Sequence, residues 1–380
     1  MTRRSFVMAA SAAVKFRDPD TGREIRQFTS GPANSYPLYY FIPSITPDQR
    51  YAIIHSERTG WVQLYRLDLE SGEQVQLTNG TTRDSGWFIW CEGHLRGIYN
   101  HLSALNAVKR EVYYFQGEEI RSTNIDTLAN QQAMKIPGRI SIGQTSFSPD
   151  GRLYAFIHAD RAMFTERIAD REALMNMRLG PWDHEAWRNT VPCTIGLIDT
   201  ATGKYRDVVQ LDFHVHHVIF ADNETLLVNH TKGANGMWRI NVDGTGRRDL
   251  RPLVHQLVTK RGIYYEAVKP GPVRNWLGLY DLKTDKFEEE PMPVADGYVH
   301  TGWDPEGRFV FFENAGKTHD LIAKLGKEYR VIRKLEPYPR PGQRYHAHPF
   351  LPDRKWLFHT APVNGYSQVC AVNVEDLAGL

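Results

Sequence analysis

The sequence predicts an all-β fold, a seven-bladed β-propeller. Three observations predict it: a turn-plus-strand motif recurs along the chain, a second hairpin follows most copies, and the last repeat lacks a strand that the N-terminus can supply. The motif is a turn followed by alternating aromatic and aliphatic residues, seen in ITPDQRYAII (45–54), FSPDGRLYAFI (147–157), FADNETLLVNH (220–230), TKRGIYYEA (259–267), WDPEGRFVFF (303–312) and FLPDRKWLFHT (350–360). WCEGHLRGIYN (90–100) is a looser copy and brings the number to seven. In each copy Asp, Asn or Gly supplies the turn conformation, and the period-two alternation supplies half-buried strands.

In chain order, TRRSFVMAASAA comes first and pairs two arginines with a short, alanine-rich apolar stretch. Two readings stay open: a brief twin-arginine export signal, which would make the protein periplasmic, or a ragged start to a cytoplasmic chain. Residues 1–13 are therefore left out of the fold, and 14–380 are expected to form a single domain. RDPDTGREIRQFT (17–29) reads as an outer strand with its turn, while SQVCAVNVEDLAGL at the far end supplies a third strand and stops. The N-terminal strand is expected to complete the last blade, which removes two free sheet edges. Second hairpins follow in LYRLDLESGEQVQLT (64–78), IGLIDTATGKYRDVV (195–209), MWRINVDGTGRRDL (237–250) and LGLYDLKTDKFEEE (277–290). Four strands per unit, repeating at about 40 to 50 residues, is the signature of propeller blades. HADRAMFTERIADREALMNMRLGPWDHEAWRN (158–189) breaks the pattern: it is helix-prone and sits where a short connection would suffice. A long insertion of this kind lies over one mouth of a propeller, where substrates bind.

Composition narrows the function. The 380 residues are 41% hydrophobic, enough for a large core, and 46 basic residues nearly cancel 44 acidic ones. Neither sign collects in a long block, so no nucleic-acid footprint stands out, and no apolar run approaches the length of a membrane span. Cys91, Cys193 and Cys370 are too few, too scattered and odd in number for a disulfide framework or a thiolate metal cluster, and read as small buried hydrophobes. The G-x-S-x-G nucleophile elbow is absent from the sequence, which sets aside a propeller hydrolase or peptidase.

GQRYHAHPF (342–350) raises the question of a metal. Alternate residues of a strand face the same way, so His346 and His348 can present both imidazoles to one ion, with the Gln343 carbonyl close by in the preceding loop. H-x-H alone is weak in a chain with 15 histidines. Position within the repeat adds the missing weight. His346 opens the seventh unit, His300 the sixth, His255 the fifth, and His216 and His217 the fourth. Residues at equivalent starts of adjacent blades converge on one mouth of the channel, so a shared site is expected there.

These residues resemble the oligogalacturonate lyases, polysaccharide lyase family 22, through RQFT, YYFIPSITPD, LYRLDLESGEQVQLTNG, DHEAWRNTVPC, MWRINVDGTG, VHTGWDPEG and QRYHAHPFLPD. The resemblance implies a seven-bladed propeller carrying Mn²⁺ or another divalent cation, held by Gln343, His346, His348 and His300. It implies His255 as the proton-abstracting base, with His216 or His217 as fallback. Two positions depart from the family's pattern: Gly236 stands in place of an arginine ahead of Met237 and Trp238, and Ser35, Tyr36 and Pro37 stand in place of a His-Arg-Asn run. Arg344 and Arg188 are candidates for holding the substrate in place of what is lost, and His184, in the matched middle segment, is a candidate for lining the substrate cleft.

The chemistry suits that ligand set. A lyase removes the C5 proton beside a uronate carboxylate and expels the oxygen at C4, so charge builds up next to an existing anion. A divalent ion bound to that carboxylate withdraws charge as a Lewis acid, a contribution of several kcal/mol. Neutral imidazoles and one amide leave the ion its full charge and open positions, unlike a closed structural zinc site. Histidine also supplies a base of near-neutral pKa. The expected partner is a small uronic-acid oligosaccharide, of galacturonate or of another linkage such as rhamnosyl-glucuronate; the competing reading is a non-catalytic propeller that presents its faces to partner proteins.

Overall fold

The computed structural model describes residues 13–80, 103–164, 166, 191–229, 236–250, 254–302, 304, 306–336 and 347–379. Short apolar-alternating stretches become antiparallel strands because a turn residue at each end tolerates the left-handed backbone a tight connection needs. Gly151 and Gly307, in the Pro-Asp-Gly and Pro-Glu-Gly turns, take φ of 70° and 68°.

β1 (Val14–Arg17) and β2 (Glu24–Gln27) open the chain as a hairpin. β3 (Ser35–Pro37), β4 (Tyr51–Ser56), β5 (Gln63–Asp68) and β6 (Gln74–Gln76) form the first sheet in that order. β7 (Ala104–Asn106), β8 (Glu111–Gln116), β9 (Glu119–Asn124) and β10 (Asn130–Lys135) form the second. In the third, β11 (Arg139–Ser141) and β12 (Ser146–Phe147) both pair with β13 (Leu153–Asp160), followed by β14 (Cys193–Asp199) and β15 (Tyr205–Leu211). The fourth is β16 (His217–Phe220), β17 (Thr225–Asn229), β18 (Met237–Asn241) and β19 (Arg248–Asp249). The fifth is β20 (Val254–Thr259), β21 (Gly262–Val268), β22 (Asn275–Asp281) and β23 (Lys286–Pro291). The sixth is β24 (Tyr298–Gly302), β25 (Val310–Ala315), β26 (His319–Leu325) and β27 (Glu328–Lys334). The last runs β28 (Trp356–Val363), β29 (Tyr366–Asn373), β2, β1. The fold is a seven-bladed β-propeller.

Closure by the N-terminus follows the expected logic but takes two strands. Ile25 pairs with Val372 and Arg26 with Ala371, and β1 then covers the edge of β2. Phe350, bridged to Phe358, stands where a full first strand of that blade would lie. The insertion begins later than its composition indicates: residues 158–160 belong to β13, held by pairing with Arg139–Ser141, and helix begins at 161. Beyond residue 166 the insertion lies outside the described residues, as does 90–100. The described part of the second blade opens with β7–β8.

The chain divides into two compact units. The first, residues 1–60, 64–76 and 254–380, packs sheet against sheet in two apolar clusters. One joins Phe311, Leu321 and Ile332 of the sixth blade to Ile25, Leu357 and Val372 of the last. The other joins Ile54 and Leu67 of the first blade to Phe358 and Val369. The second unit, 61–63 and 77–253, centres on Ile140, Ile157, Ile195, Val218, Val228 and Trp238. No single four-stranded sheet can bury both of its faces, so each blade is stable only against a neighbour. Cys193 and Cys370 are free and buried within these packed layers, and burial pushes the Cys193 thiol up to about 12, which makes it inert.

Candidate metal and catalytic site

Three imidazoles meet in the first unit. His255 is the second residue of β20, His300 lies within β24, and His348 precedes the Phe350 bridge. Ring centroids of His255 and His300 are 4.0 Å apart, and those of His300 and His348 are 5.0 Å apart. Tyr40, from the connection between β3 and β4, packs against all three at 5.7, 5.7 and 5.6 Å. His255, His300 and Tyr40 are buried and His348 half-buried. His255 and His300, from consecutive blades, thus lie together with His348 of the last blade; His346, which the repeat register names there, lies outside the described residues.

The backbone is forced to achieve this. His255 and His348 have φ of 51° and 42°, in the left-handed region. The other non-glycine residues with positive φ among the described residues, Gln49, Arg110, Leu128, Asp285 and Asn364, all sit in hairpin turns. These two histidines do not. A left-handed residue costs about 1–2 kcal/mol, and such strain gathers where the fold must aim a side chain. At His255 the cause is visible: the register of β20 against β21 shifts between Val254 and Leu257, and a bulge redirects the side chain it carries.

Two buried carboxylates stand behind the imidazoles. Glu266 Oε2 lies 2.8 Å from His255 Nδ1, where the carboxylate can accept an Nδ1 proton. Burial pushes the Glu266 carboxyl up, and the neighbouring His255 offsets only part of that shift. Glu313 faces His300 directly across β24 and β25. Its Oε1 accepts from His319 Nε2 at 2.7 Å and its Oε2 accepts from the Ala347 amide at 2.8 Å, with His300 Nδ1 3.9 Å from Oε2. Thr301 Oγ1 donates to the His255 carbonyl at 2.8 Å and ties the two first strands together.

Sequence reasoning missed Glu266, Glu313 and Tyr40. A signal for the carboxylates was present. The second strands end apolar runs on one polar residue in the same register: His55, His158, Asn229, Glu266, Glu313 and His359, each buried. A glutamate closing Ile-Tyr-Tyr or Val-Phe-Phe in such a strand has to find a partner. Tyr40 left no such mark, since its contacts come from a connection folding onto other blades.

His216 and His217 lie in the second unit. With His214 they form their own group, ring centroids 4.7 Å apart for His214–His216 and 6.2 Å for His216–His217. His214 Nε2 lies 2.8 Å from the Ile142 carbonyl. Gln343, Arg344, His346, Arg188 and His184 lie outside the described residues. Ser35, Tyr36 and Pro37 form β3 and are buried: Ser35 Oγ bonds Ser56 Oγ at 2.9 Å and Tyr36 stacks on His55 at 5.3 Å. These side chains are committed to the sheet, and Gly236 is likewise buried.

Among the described residues, no three His, Cys, Asp or Glu side chains are arranged to hold a metal. Of the expected ligands only His300 and His348 are described. These two fit the group: neutral nitrogen donors from different blades, in contact, beside a buried carboxylate that can balance a cation.

No family model matches the chain, and no curated protein matches it. Solved structures do. An oligogalacturonate lyase from Vibrio parahaemolyticus superposes with a TM-score of 0.80 at 17% identity, covering 98% of this chain and 99% of that one. An oligogalacturonate lyase in complex with manganese gives 0.81 at 17% identity, covering 99% and 100%. The β-propeller domain of the Trilobed protease from Pyrococcus furiosus gives 0.51 at 11% identity, covering 96% and 94%. At these identities the likeness establishes the propeller fold.

Proposed function

We propose that the protein is a metal-dependent lyase that cleaves uronic-acid-containing oligosaccharides by β-elimination, in the manner of an oligogalacturonate lyase. The observation that carries this reading is the meeting of His255, His300 and His348 from three successive blades, two of them in left-handed backbone. Likeness in fold to the oligogalacturonate lyases, one of them a manganese complex, supports it.

A divalent ion such as Mn²⁺, held by His300 and His348 together with Gln343 and His346, would supply Lewis-acid charge to the uronate carboxylate. His255 is assigned the C5 proton. Glu266 fixes the imidazole with Nδ1 protonated, so Nε2 is the basic nitrogen, and the carboxylate stabilises the imidazolium once the proton has moved. The electrons of the C5–H bond become the C4–C5 double bond, the C4–O bond breaks, and the expelled oxygen takes a proton. Tyr40 and the β-strands behind the histidines exclude water from the pair, which strengthens each of these interactions. Arg344, Arg188 and His184 are assigned to the sugar chain.

A second reading concerns linkage. Gly236 occupies the place of an arginine, and Ser35, Tyr36 and Pro37 are spent on the sheet, so the carboxylate grip differs from that of a galacturonate enzyme. Another uronate linkage, such as rhamnosyl-glucuronate, is the alternative substrate. The test is ultraviolet absorbance of an unsaturated uronate after mixing protein, Mn²⁺ and a panel of pectic and glucuronate-containing oligosaccharides. A rise on one member supports the lyase and identifies its linkage. No rise across the panel, with metal bound, leaves a non-catalytic propeller.

A further inference from the structure

We propose that Glu313 is the positioning residue of the candidate metal centre: one buried carboxylate registers the segment bearing His348 against His300 of the preceding blade. The inference rests on the metal-site reading above and adds a residue that reading does not contain.

The geometry is specific. Glu313 is 1% exposed and lies directly opposite His300 across the β24–β25 ladder, where facing side chains are close neighbours. Oε2 accepts the backbone amide of Ala347, the residue immediately before His348, at 2.8 Å, and the same oxygen lies 3.9 Å from His300 Nδ1. One oxygen atom therefore bonds the segment that bears His348 and faces His300 across the ladder. Oε1 is pinned by His319 Nε2 at 2.7 Å, and His319 Nδ1 lies 3.1 Å from the Glu336 carbonyl. Both ring nitrogens of His319 face acceptors, which fixes the ring against Glu313. The carboxylate cannot swing away without stranding two buried donors.

The backbone at the site needs such an anchor. His348 is left-handed, and the amide held by Glu313 immediately precedes it, while the Ala347 carbonyl accepts from Thr360 at 2.8 Å. Ala347 is thus clamped on both sides, by a side chain of the sixth blade and by the backbone of the last. A strained residue persists only where its surroundings over-determine it. A carboxylate serves better than a neutral acceptor, because its charge also favours a cation gathered by otherwise neutral ligands.

The experiment measures Mn²⁺ affinity by titration calorimetry on the full chain, with the electron paramagnetic resonance line shape of bound Mn²⁺ as a second readout. Thermal unfolding in chelator compares the folds of the variants. Glu313→Gln keeps size and one acceptor but loses the charge; Glu313→Asp keeps the charge and loses reach. Both are expected to weaken Mn²⁺ binding by about 10- to 100-fold, with an altered line shape at saturation. If Glu313→Gln does not fold, Glu313→Asp decides alone. Unchanged affinity and line shape in a folded variant overturn the positioning role while the metal reading stands. Failure of the unaltered protein to bind Mn²⁺ overturns the metal reading itself, and this proposal with it.

Discussion

Glu266 and Glu313 occupy the same register position in neighbouring blades, yet they hold their histidines differently. Glu266 bonds His255 directly, whereas Glu313 divides itself between His319 and the Ala347 amide and stands off from His300. The first arrangement tunes a base; the second fixes a pair of ligands. Glu266→Gln should therefore lower kcat by roughly 10- to 100-fold with KM little changed, since general-base assistance is worth about 10²–10⁴-fold. Mn²⁺ affinity should stay intact, and an equal loss in both would show that Glu266 serves the metal. His300→Ala should do the reverse: calorimetry is expected to find Mn²⁺ binding reduced at least tenfold, with the melting profile in chelator lowered only modestly.

At the scale of the elements, the site depends on strands that do not touch it. The strap β1–β2 covers the edge of β29, and Ile25, with none of its surface exposed, fills the cluster under Leu357 and Val372. Thr29 Oγ1 donates to Gln368 Oε1 at 2.6 Å and Arg23 reaches Asp376, so polar contacts continue the seam on either side. Ile25→Ala should destabilise by about 2–5 kcal/mol through transfer and cavity terms, read from the urea midpoint. A loss below about 0.5 kcal/mol would mean the strap is dispensable. Because the same blade carries the Ala347–Thr360 clamp, the variant should also weaken Mn²⁺ binding before it unfolds.

Across the whole molecule, the buried polar register gives the fold a definite response to acid. Burial holds His55 down to about 3 and His158 to about 4, and His359 lies well below its ordinary value through burial and then the Arg333 charge. Above pH about 6.5 these rings are neutral both folded and unfolded and contribute no pH dependence. As pH falls below that value the unfolded chain takes up protons that the native rings refuse, so stability is lost down to the native values. For His158 the full loss is about 3 kcal/mol. His319 and Glu266, both raised in the fold, act in the opposite direction. The urea midpoint should fall between pH 6.5 and 4.5, and His158→Gln should flatten that slope; a variant with the unaltered slope would show that His158 titrates normally.

Local pattern alone determined the blades and the strap, because turn chemistry and period-two alternation are properties of neighbouring residues and a repeat shows its copies to inspection. His255 and His300 could be placed at strand starts for that reason. Which carboxylate each would meet, and that Tyr40 would lie against three imidazoles from different blades, was decided only in three dimensions. Those contacts join residues far apart in the chain, and the left-handed backbone at His255 and His348 is imposed by pairing and packing that no local propensity encodes.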